Sequence, residues 1–324
     1  MKRVVFDTDI GIDDAMALLF LHAAPDVRIE AVCTVAGNAS LDRVTRNALH
    51  VCERFHIDAP VFEGAADPLA ASLTSAHPDF VHGADGLGNV EFSEPTRRAE
   101  RAPAAEAIAD LARRFPGQIS VVAVGRLTNL ARALELCPEL PSLLRELIVM
   151  GGVFLRRDHR GNVSPVAEAN VAGDPTAADR VFGSGIDTTI VGLDVTQETL
   201  MDEAFIAALR DGAGEAGAFI HAITRFYFGF YAGIHGRRVC PIHDSSAVAC
   251  LLAPALYTVD EGPVRVATEG IAMGQTILGT HPERYAIDAW RGRPSCRVCT
   301  VVDADGVRSL YLRTLQALAA QRAS

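Results

Sequence analysis

The chain has 324 residues, 49% of them hydrophobic and 22% charged, which is typical of a globular protein with a substantial core. Its formal net charge of -10 argues against non-specific nucleic-acid binding, because such binding needs a basic surface. A small neutral or anionic substrate stays open, and the length suits one large α/β domain or two smaller ones.

The seven cysteines show no disulfide framework. Cys296 and Cys299 form a C-x-x-C pair, but their context predicts a strand, and no second pair completes a zinc site. We therefore expect reduced, mostly buried thiols in a reducing compartment. No apolar stretch reaches membrane-spanning length without charges or breakers, and no signal peptide precedes the first strand. The sequence thus predicts a cytoplasmic protein with neither a membrane nor a nucleic-acid partner.

The N-terminal residues combine a predicted strand, about Lys2–Phe6, with a predicted helix, Ile12–Ala23. Four aspartates lie within eight positions around this junction: Asp7, Asp9, Asp13 and Asp14. Carboxylates this close repel one another unless a cation joins them, and an all-oxygen cluster suits calcium or magnesium. The alternative is that two of them only cap the helix while the other two are solvated turn residues.

Strands and helices then alternate, with one long interruption. The predicted strands are Arg28–Val35, a short one at Pro60–Gly64, Ile119–Val124, Leu147–Met150 and Thr188–Val191. The predicted helices are one that Ser40 caps and that runs to about Phe55, Ala104–Phe115, one that Thr128 caps, and one that begins at Asp174-Pro175. This alternation predicts an α/β fold with an open, mostly parallel central sheet flanked by helices.

The interruption, residues 65–103, has no clear periodicity. A loop of this length inside a compact domain is uncommon, and it is either a functional lid over a substrate or a solvated excursion. We interpret it as an insertion in a single domain that spans residues 1–324.

Several predicted strands end in glycine-rich or polar turns, at Asp9, Asn38, Val124 and Met150. The carboxyl ends of the strands form the ligand crevice in open parallel sheets. We therefore expect these four junctions to line one site.

The C-terminal half adds further polar positions. Glu168 and Asn170 lie two apart in an apolar setting, so both side chains could point into one pocket. The other predicted elements are helices at Phe205–Leu209 and Ala216–Tyr231, a helix that starts at His243-Asp244, short strands over about 257–302, and a final helix at Leu310–Gln321. Tyr227 and Tyr231 share one helical face, although such an aromatic pair is more often part of a core than of a ligand site.

Motifs for other chemistries are missing from the sequence. It has no Walker lysine motif, no G-x-G-x-x-G after the first strand and no G-x-S-x-G elbow. A neutral substrate rich in hydroxyl groups fits best, because vicinal hydroxyls can complete a calcium shell of about six to eight oxygens.

At this point the motifs resemble a known family. Asp7–Ala15 reads D-T-D-I-G-I-D-D-A, which is similar to the N-terminal D-x-D-x-G-x-D-D-A signature of the inosine-uridine type nucleoside hydrolases. The resemblance continues in order through Val35–Asn38, His82–Asn89, Gly125–Asn129, Met150–Gly152, Glu168–Pro175 and His243-Asp244. It covers nearly the whole chain, and the combination of motifs is highly specific.

The resemblance implies the Rossmann-like nucleoside hydrolase fold and calcium-dependent hydrolysis of the N-glycosidic bond of ribonucleosides, giving ribose and free base. The transition state would be oxocarbenium-like, and the nucleophile a metal-bound water. The resemblance also implies a homodimer or homotetramer.

The same resemblance implies a role for each site residue. Calcium would be held by Asp9, Asp14, the backbone carbonyl of Val124 and Asp244, with Asp9 also the general base and Asp7 supporting from behind. The ribose would be bound by Asp13, Asn38, Asn162, Glu168 and Asn170, with Met150 under the ring. His243 would be the acid that protonates the leaving base, and His82, Tyr227 and Tyr231 would complete the substrate site.

One departure bears on the substrate. The charged insert Arg156–Arg160 falls near the expected 5′ side of the nucleoside, so it indicates either a 5′-decorated substrate or simply a surface loop. Two other functions stay open: a haloacid dehalogenase-type phosphatase, which also opens with strand-D-x-D, and a non-catalytic calcium-dependent protein that binds ribose or nucleosides.

Overall fold

The computed structural model of the chain describes residues 1–70, 72–73, 77–284 and 286–323. The strands are β1 Lys2–Thr8, β2 Val27–Thr34, β3 Val61–Glu63, β4 Ile119–Ala123, β5 Leu144–Met150, β6 Thr188–Val191, β7 Leu200–Asp202, β8 Val239–Pro241, β9 Tyr257–Val266, β10 Thr276–Leu278 and β11 Ser295–Val302. The helices are α1 Ile12–Ala23, α2 Leu41–Arg54, α3 Asp79–His82, α4 Ala104–Arg114, α5 Thr128–Leu136, α6 Leu140–Leu143, α7 Ala169–Gly173, α8 Pro175–Phe182, α9 Leu193–Thr196, α10 Glu203–Gly212, α11 Gly214–His235, α12 His243–Leu252 and α13 Ala304–Ala323.

The main sheet is mostly parallel, in the order β10-β9-β11-β6-β5-β4-β1-β2-β3. All neighbouring pairs from β3 to β11 in this order are parallel, whereas β9 and β10 add antiparallel strands at one edge. The central strands are buried, which explains their continuous apolar sequences. The predicted α/β fold is confirmed.

Strand order fixes the position of the site. β1 lies between β2 and β4, so the chain leaves β1 toward one side of the sheet and later returns on the other. This reversal opens a crevice at the carboxyl end of β1, where open parallel sheets bind their ligands. Asp9 directly follows that end, and the other predicted junctions follow the neighbouring strands β2, β4 and β5.

Helix α1 carries two of the four aspartates into the interior. Nearly all of its residues are buried, because it packs on the sheet side against β2, α11, α12 and α13. Its N-terminus therefore holds Asp13 and Asp14 away from solvent, at 4% and 0% exposure. A second apolar layer, built mainly from α4, α5 and α8, covers the opposite face of the sheet.

The insertion at residues 65–103 is irregular, as expected, apart from helix α3 in its described part. It is anchored to the body of the protein: Asn47 Nδ2 donates to the Asp85 carbonyl at 2.8 Å. Gly88, with a φ of 76°, lies so close to α11 that a Cβ there would be 2.6 Å from the Ile223 carbonyl oxygen. Pro78 and residues 80–82 consequently form one wall of the central cavity.

Two predicted helix details are wrong. Thr128 does not cap α5, because its hydroxyl instead donates to Asp174 Oδ2 at 2.7 Å. The final helix begins at Ala304, six residues before the predicted Leu310. Ser40 does occupy the N-cap position of α2, although its side chain makes no capping hydrogen bond.

Asp174 is a buried cap that accepts three hydrogen bonds, so its removal should strongly destabilise the fold. It is 0% exposed and accepts from the Ala177 N–H at 3.0 Å, the Leu69 N–H at 2.8 Å and the Thr128 hydroxyl. Asp174→Ala leaves three buried hydrogen-bond donors without an acceptor. We therefore expect the free energy of unfolding, measured in urea, to fall by roughly 3 kcal/mol or more. The control is Asp202→Ala, whose exposed carboxylate accepts from the Phe205 N–H and should cost about 1 kcal/mol. Equal losses would contradict this account.

Candidate active site

A cavity of about 480 Å³ opens at the carboxyl edge of the sheet. Twelve of the fifteen residues predicted for the site line it: Asp13, Asn38, His82, Val124, Met150, Asn162, Glu168, Asn170, Tyr227, Tyr231, His243 and Asp244. The other three, Asp7, Asp9 and Asp14, lie buried behind its floor. The junctions after β1, β2, β4 and β5 therefore converge, as the strand-end argument expected.

Three carboxylates meet on this floor. Oxygens of Asp13, Asp14 and Asp244 all lie within 4.8 Å of one another, and all three residues are buried. The resemblance implied that Asp9 binds the cation with Asp14 and Asp244, and that Asp13 binds the sugar. In the structure, Asp13 lies with Asp14 and Asp244. The set offers only oxygen donors, which is the donor type of a hard cation.

Asn38 connects Asp9 with this group. Its backbone N–H donates to Asp9 Oδ2 at 2.9 Å, and its side-chain nitrogen lies 3.2 Å from Asp9 Oδ1 and 3.0 Å from Asp14 Oδ2. Gly37 makes this approach possible, because a Cβ there would collide with the Asp9 carboxylate. The position of Asp9 thus depends on the loop after β2.

Asp14 is held firmly at the start of α1. The Thr8 hydroxyl donates to its Oδ1 at 2.6 Å and the Gly11 N–H to its Oδ2 at 2.8 Å. With the Asn38 amide also at Oδ2, these bonds orient the carboxylate and leave further acceptor capacity on Oδ1.

Ionising the buried carboxylates of this site together is energetically unfavourable. Burial, followed by the charge of Asp14, raises the pKa of Asp13 to about 7. Burial and neighbouring carboxylates likewise raise the pKa of Asp244 and Asp9 well above the usual range, although the charge of Arg126 opposes the rise at Asp9. A divalent cation would remove this penalty, because it favours the ionised form of each group.

Asp7 supports the site from the other side of β1. Its Oδ1 accepts from Asn129 Nδ2 at 2.7 Å, and the same amide contacts the Thr34 carbonyl and the Ala65 N–H. Its Oδ2 has no partner among the described residues, and burial raises the pKa of Asp7 to about 7. Asp7 therefore fastens β1 to β2 and to the start of the insertion.

The opposite wall is built around Asn170. Its side-chain nitrogen donates to the Val124 carbonyl at 2.9 Å and to the Met150 carbonyl at 3.1 Å. Glu168 caps α7 by accepting from the Asn170 and Val171 N–H groups, and also accepts from the Gly152 N–H at 2.8 Å. This carboxylate is therefore placed by three backbone donors, while its residue still lines the cavity.

A hydrogen-bonded chain of side chains forms the remaining wall. His243 Nδ1 lies 2.7 Å from the Thr196 hydroxyl, and its Nε2 lies 3.0 Å from the Tyr231 hydroxyl. The Tyr231 ring packs edge-on against Tyr227, at 4.8 Å between centroids. Burial, with a smaller effect of His235, lowers the pKa of His243 to about 4, so the imidazole is neutral near pH 7.

His82 comes to this wall from the insertion. The Ile12 N–H donates to its Nδ1 at 3.2 Å, so the neutral ring carries its proton on Nε2. Burial, followed by the charge of His243, lowers the pKa of His82 to about 3. His82 is thus a neutral donor at the cavity.

The charged insert at 156–160 does not turn its cations toward the cavity. Arg156 pairs with Asp260 at 3.0 Å and Arg157 with Glu198 at 3.2 Å, both on the surface. Arg160 lies 3.8 Å from Asp158. The surface-loop interpretation therefore fits this geometry better than a site for a 5′-anion.

Sequence reasoning missed several cavity residues. Gln197 lines the cavity and follows β6, so the strand-end rule could have found it, since the turn after Val191 had the same character as the other four. Phe80 and Phe230 face each other at the rim, 5.7 Å between ring centroids. No sequence signal brought these two aromatic residues together.

The seven cysteines are all free and buried, which confirms the expected thiols. Among the described residues, no helix has the length and apolar character needed to cross a lipid bilayer.

Comparisons with known proteins agree with this geometry. Residues 4–309 match the family model of the inosine-uridine preferring nucleoside hydrolases. The chain is 37% identical over 317 residues to "Probable uridine nucleosidase 1" of Oryza sativa subsp. japonica, which covers 97% of each protein. It is 36% identical over 307 residues to "Non-specific ribonucleoside hydrolase RihC" of Escherichia coli O1:K1 / APEC, covering 94% of this chain and 95% of that protein.

Among solved structures, the fold is similar to "Plant nucleoside hydrolase - PpNRh1 enzyme", with a TM-score of 0.93 and 35% identity over 97% of this chain and 99% of that one. The resemblance read from the motifs is thereby confirmed, and the phosphatase alternative is wrong. The chain belongs to the inosine-uridine preferring nucleoside hydrolase family and is an enzyme that hydrolyses ribonucleosides.

Proposed function

We propose that the chain hydrolyses ribonucleosides to ribose and free base with the help of calcium, in the cavity described above. One observation carries this proposal: a buried cluster of carboxylates faces a wall of tyrosines and neutral histidines across one cavity. The carboxylates on one side of the cavity can bind a cation and the diol of a sugar. The tyrosines and histidines on the other side can interact with the departing base.

The residues present fit a calcium ion. Asp14, Asp244 and the Val124 carbonyl offer oxygen ligands, and Asp9 adjoins Asp14 through the shared Asn38 amide. Calcium takes six to eight oxygens, so ribose hydroxyls have room to complete the shell. A bound cation would lower the pKa of a water molecule and help to orient the sugar. Asp9 then accepts the proton of the attacking water as general base.

The sugar is held by side chains around the acids. The ribose hydroxyls are bound by Asp13, Asn38, Asn162, Glu168 and Asn170. Met150 packs under the sugar ring. Carboxylates that line this pocket stabilise the positive charge that develops on the sugar as the bond to the base breaks. Their backbone donors hold them in place beforehand, as at Glu168, so little reorganisation accompanies the reaction.

The leaving base receives its proton through His243. The acid form of His243 carries a proton on both nitrogens, Nδ1 toward the Thr196 hydroxyl and Nε2 toward the Tyr231 hydroxyl. As the bond to the base breaks, Tyr231 gives its hydroxyl proton to the base and takes the Nε2 proton of His243, which leaves a neutral imidazole and an intact tyrosine. Burial lowers the pKa of His243 to about 4, so this acid form donates readily. Tyr231 is then the group that touches the base, with His243 as the source of the proton and Tyr227 and His82 at its side.

The remaining proposals concern the domain, the location, the assembly and the substrate. We propose one domain over the whole chain, a cytoplasmic location that the seven free buried thiols favour, and a homodimer or homotetramer by likeness to the family. The rice and E. coli relatives are named for uridine and for ribonucleosides in general, so we propose uridine among the substrates.

A substrate panel tests the proposal. Purified protein with calcium should release reducing sugar from uridine, and scoring inosine, cytidine and adenosine beside it should rank the bases. Treatment with a calcium chelator should lower the rate at least about 100-fold, and added calcium should restore it. Absence of uridine cleavage beside cleavage of another nucleoside would refute uridine as a substrate, and full activity in chelator would refute the calcium assignment.

A further inference from the structure

Residues 83–89 form a tight turn directly after His82, the histidine that the insertion brings to the cavity. Four of them have φ values in the left-handed region: Gly83 at 82°, Gly86 at 82°, Gly88 at 76° and Asn89 at 58°. Glycine adopts this region without steric cost, which explains the three glycines. The turn also closes on the histidine, because the Gly88 N–H donates to the His82 carbonyl at 2.7 Å. The backbone position of His82 therefore depends on the conformation of this turn.

Asp85 holds the turn together from inside. Its Oδ1 accepts from the Leu87 N–H at 2.8 Å, which is the bond of an Asx turn, and from the Asn89 N–H at 2.9 Å. The Asn89 side chain adds a third bond, because its Oδ1 accepts from the Ala84 N–H at 2.9 Å. The shape of the turn is thus fixed by side chains of the turn itself.

Helix α11 lies against one side of the turn. The Gly88 backbone is so close to the Ile223 carbonyl that any side chain at position 88 would collide with it. Ile223 precedes Tyr227 by one helical turn, and the rings of His82 and Tyr227 lie 5.7 Å apart between centroids. The turn therefore packs on the same helix that carries the tyrosines of the cavity wall.

Helix α2 fastens the other side of the turn with two donors that lie four residues apart. Arg43 Nη1 donates to the Ala84 carbonyl, and Asn47 Nδ2 donates to the Asp85 carbonyl at 2.8 Å. Asn47 is 0% exposed, and its Oδ1 has no hydrogen-bond partner among the described residues. A buried oxygen without a partner lowers the stability of the fold. The nitrogen of this amide thus places the turn, while its oxygen is a cost to stability.

The His82 ring needs this support because a single hydrogen bond orients it. The Ile12 N–H donates to its Nδ1 at 3.2 Å, which leaves the Nε2–H to the cavity that the residue lines. A bond of this length is at the long end of the usual range, so a shift of about 0.5 Å would break it. Small movements of the turn would therefore release the ring.

We propose that Asn47 and Asp85 are positioning residues for His82, and that they hold its Nε2–H toward the base of a bound nucleoside. Asn47 fastens the turn to α2, and Asp85 keeps the shape of the turn. Neither belongs to the described residues that line the central cavity, so both act through His82. The proposal rests on the function proposed above, in which His82 lies beside Tyr231 at the leaving base.

The test compares uridine with p-nitrophenyl riboside, whose leaving group departs without a proton. Asn47→Leu removes the donor and the unpaired oxygen but keeps a side chain of similar shape. It should lower kcat/KM on uridine about tenfold and leave kcat/KM on p-nitrophenyl riboside within about twofold of the unmodified protein. Added to His82→Ala, it should cause no further loss on uridine, because the group that it positions is gone. A merely structural role would lower both rates and add to the loss in His82→Ala.

Asp85 offers a second pair of variants at a partly exposed side chain. Asp85→Ala should reproduce the selective loss on uridine. Asp85→Asn should stay within about twofold of the unmodified protein, because its amide oxygen can still accept both N–H groups. Arg46→Gln is the matched control on α2. It removes the bond from the same helix to Glu94, further along the insertion, and should change neither rate.

The nitrogen NMR signals of the His82 ring give a readout that needs no turnover. In the unmodified protein they should show one tautomer, with the proton on Nε2, and in Asn47→Leu a mixture of both tautomers. A single tautomer retained in Asn47→Leu would overturn the proposal, as would equal losses on the two substrates. If the unmodified protein cleaves no ribonucleoside, the proposed function fails by itself, and the tautomer measurement still decides on Asn47.

Discussion

Asp9→Ala should lower kcat on uridine by about 1,000-fold or more while the protein stays folded. The carboxylate is the proposed base, and it accepts from the backbone N–H and the side-chain amide of Asn38. Its loss leaves these two donors of one cavity-lining residue to be resolvated. Steady-state release of reducing sugar and a thermal unfolding curve measure the two effects. Asp26→Ala, at an exposed aspartate before β2, is the matched control and should change neither.

Comparison of an Asp14 variant with an Asp9 variant distinguishes a calcium ligand from the general base. Asp14→Ala should raise the calcium Kd, measured by calorimetry, at least about 100-fold, whereas Asp9→Ala loses turnover even at saturating calcium. Near-normal hydrolysis by either variant would refute the site assignment. Because Asp13 lies with Asp14 and Asp244 within 4.8 Å, a similar affinity loss in Asp13→Ala would move Asp13 from the sugar to the cation.

His243→Ala should reduce kcat/KM on uridine about 100-fold, yet leave p-nitrophenyl riboside within about fivefold of the unmodified protein. Uracil is a poor leaving group that needs a proton, whereas p-nitrophenolate leaves unaided. Comparison of the two substrates therefore reports proton donation and not binding in general.

Tyr231→Phe tests whether the proton passes along the chain of hydrogen bonds. Its hydroxyl lies 3.0 Å from His243 Nε2, so both variants interrupt one path. We expect Tyr231→Phe to show the same dependence on the leaving group, and the double variant to be no slower than the slower single variant. Multiplied losses in the double variant would mean that the two residues act separately, and equal losses of His243→Ala on both substrates would remove its role as proton source.

Local sequence patterns were sufficient for the strands of the main sheet, most helices and the place of the site, but they missed β7 and β8. The apolar runs of β1, β2, β4 and β5 and the polar residues after them follow from backbone periodicity and from the rule for parallel sheets. The helix that Thr128 was expected to cap shows the limit of such patterns. A threonine before a helix commonly caps it, but here Asp174, buried and distant in sequence, takes the hydroxyl instead.

The amino-acid sequence by itself determined the family, the α/β fold and the set of polar side chains, because these depend on residue types and short spacings. Only the tertiary structure decided which side chains meet. Asp13 joins Asp244, Asn38 joins Asp9 to Asp14, and His243 joins Thr196 to Tyr231. These contacts link residues far apart in the chain, and the shifted pKa values follow from the burial that the packed layers impose, so no local pattern could encode them.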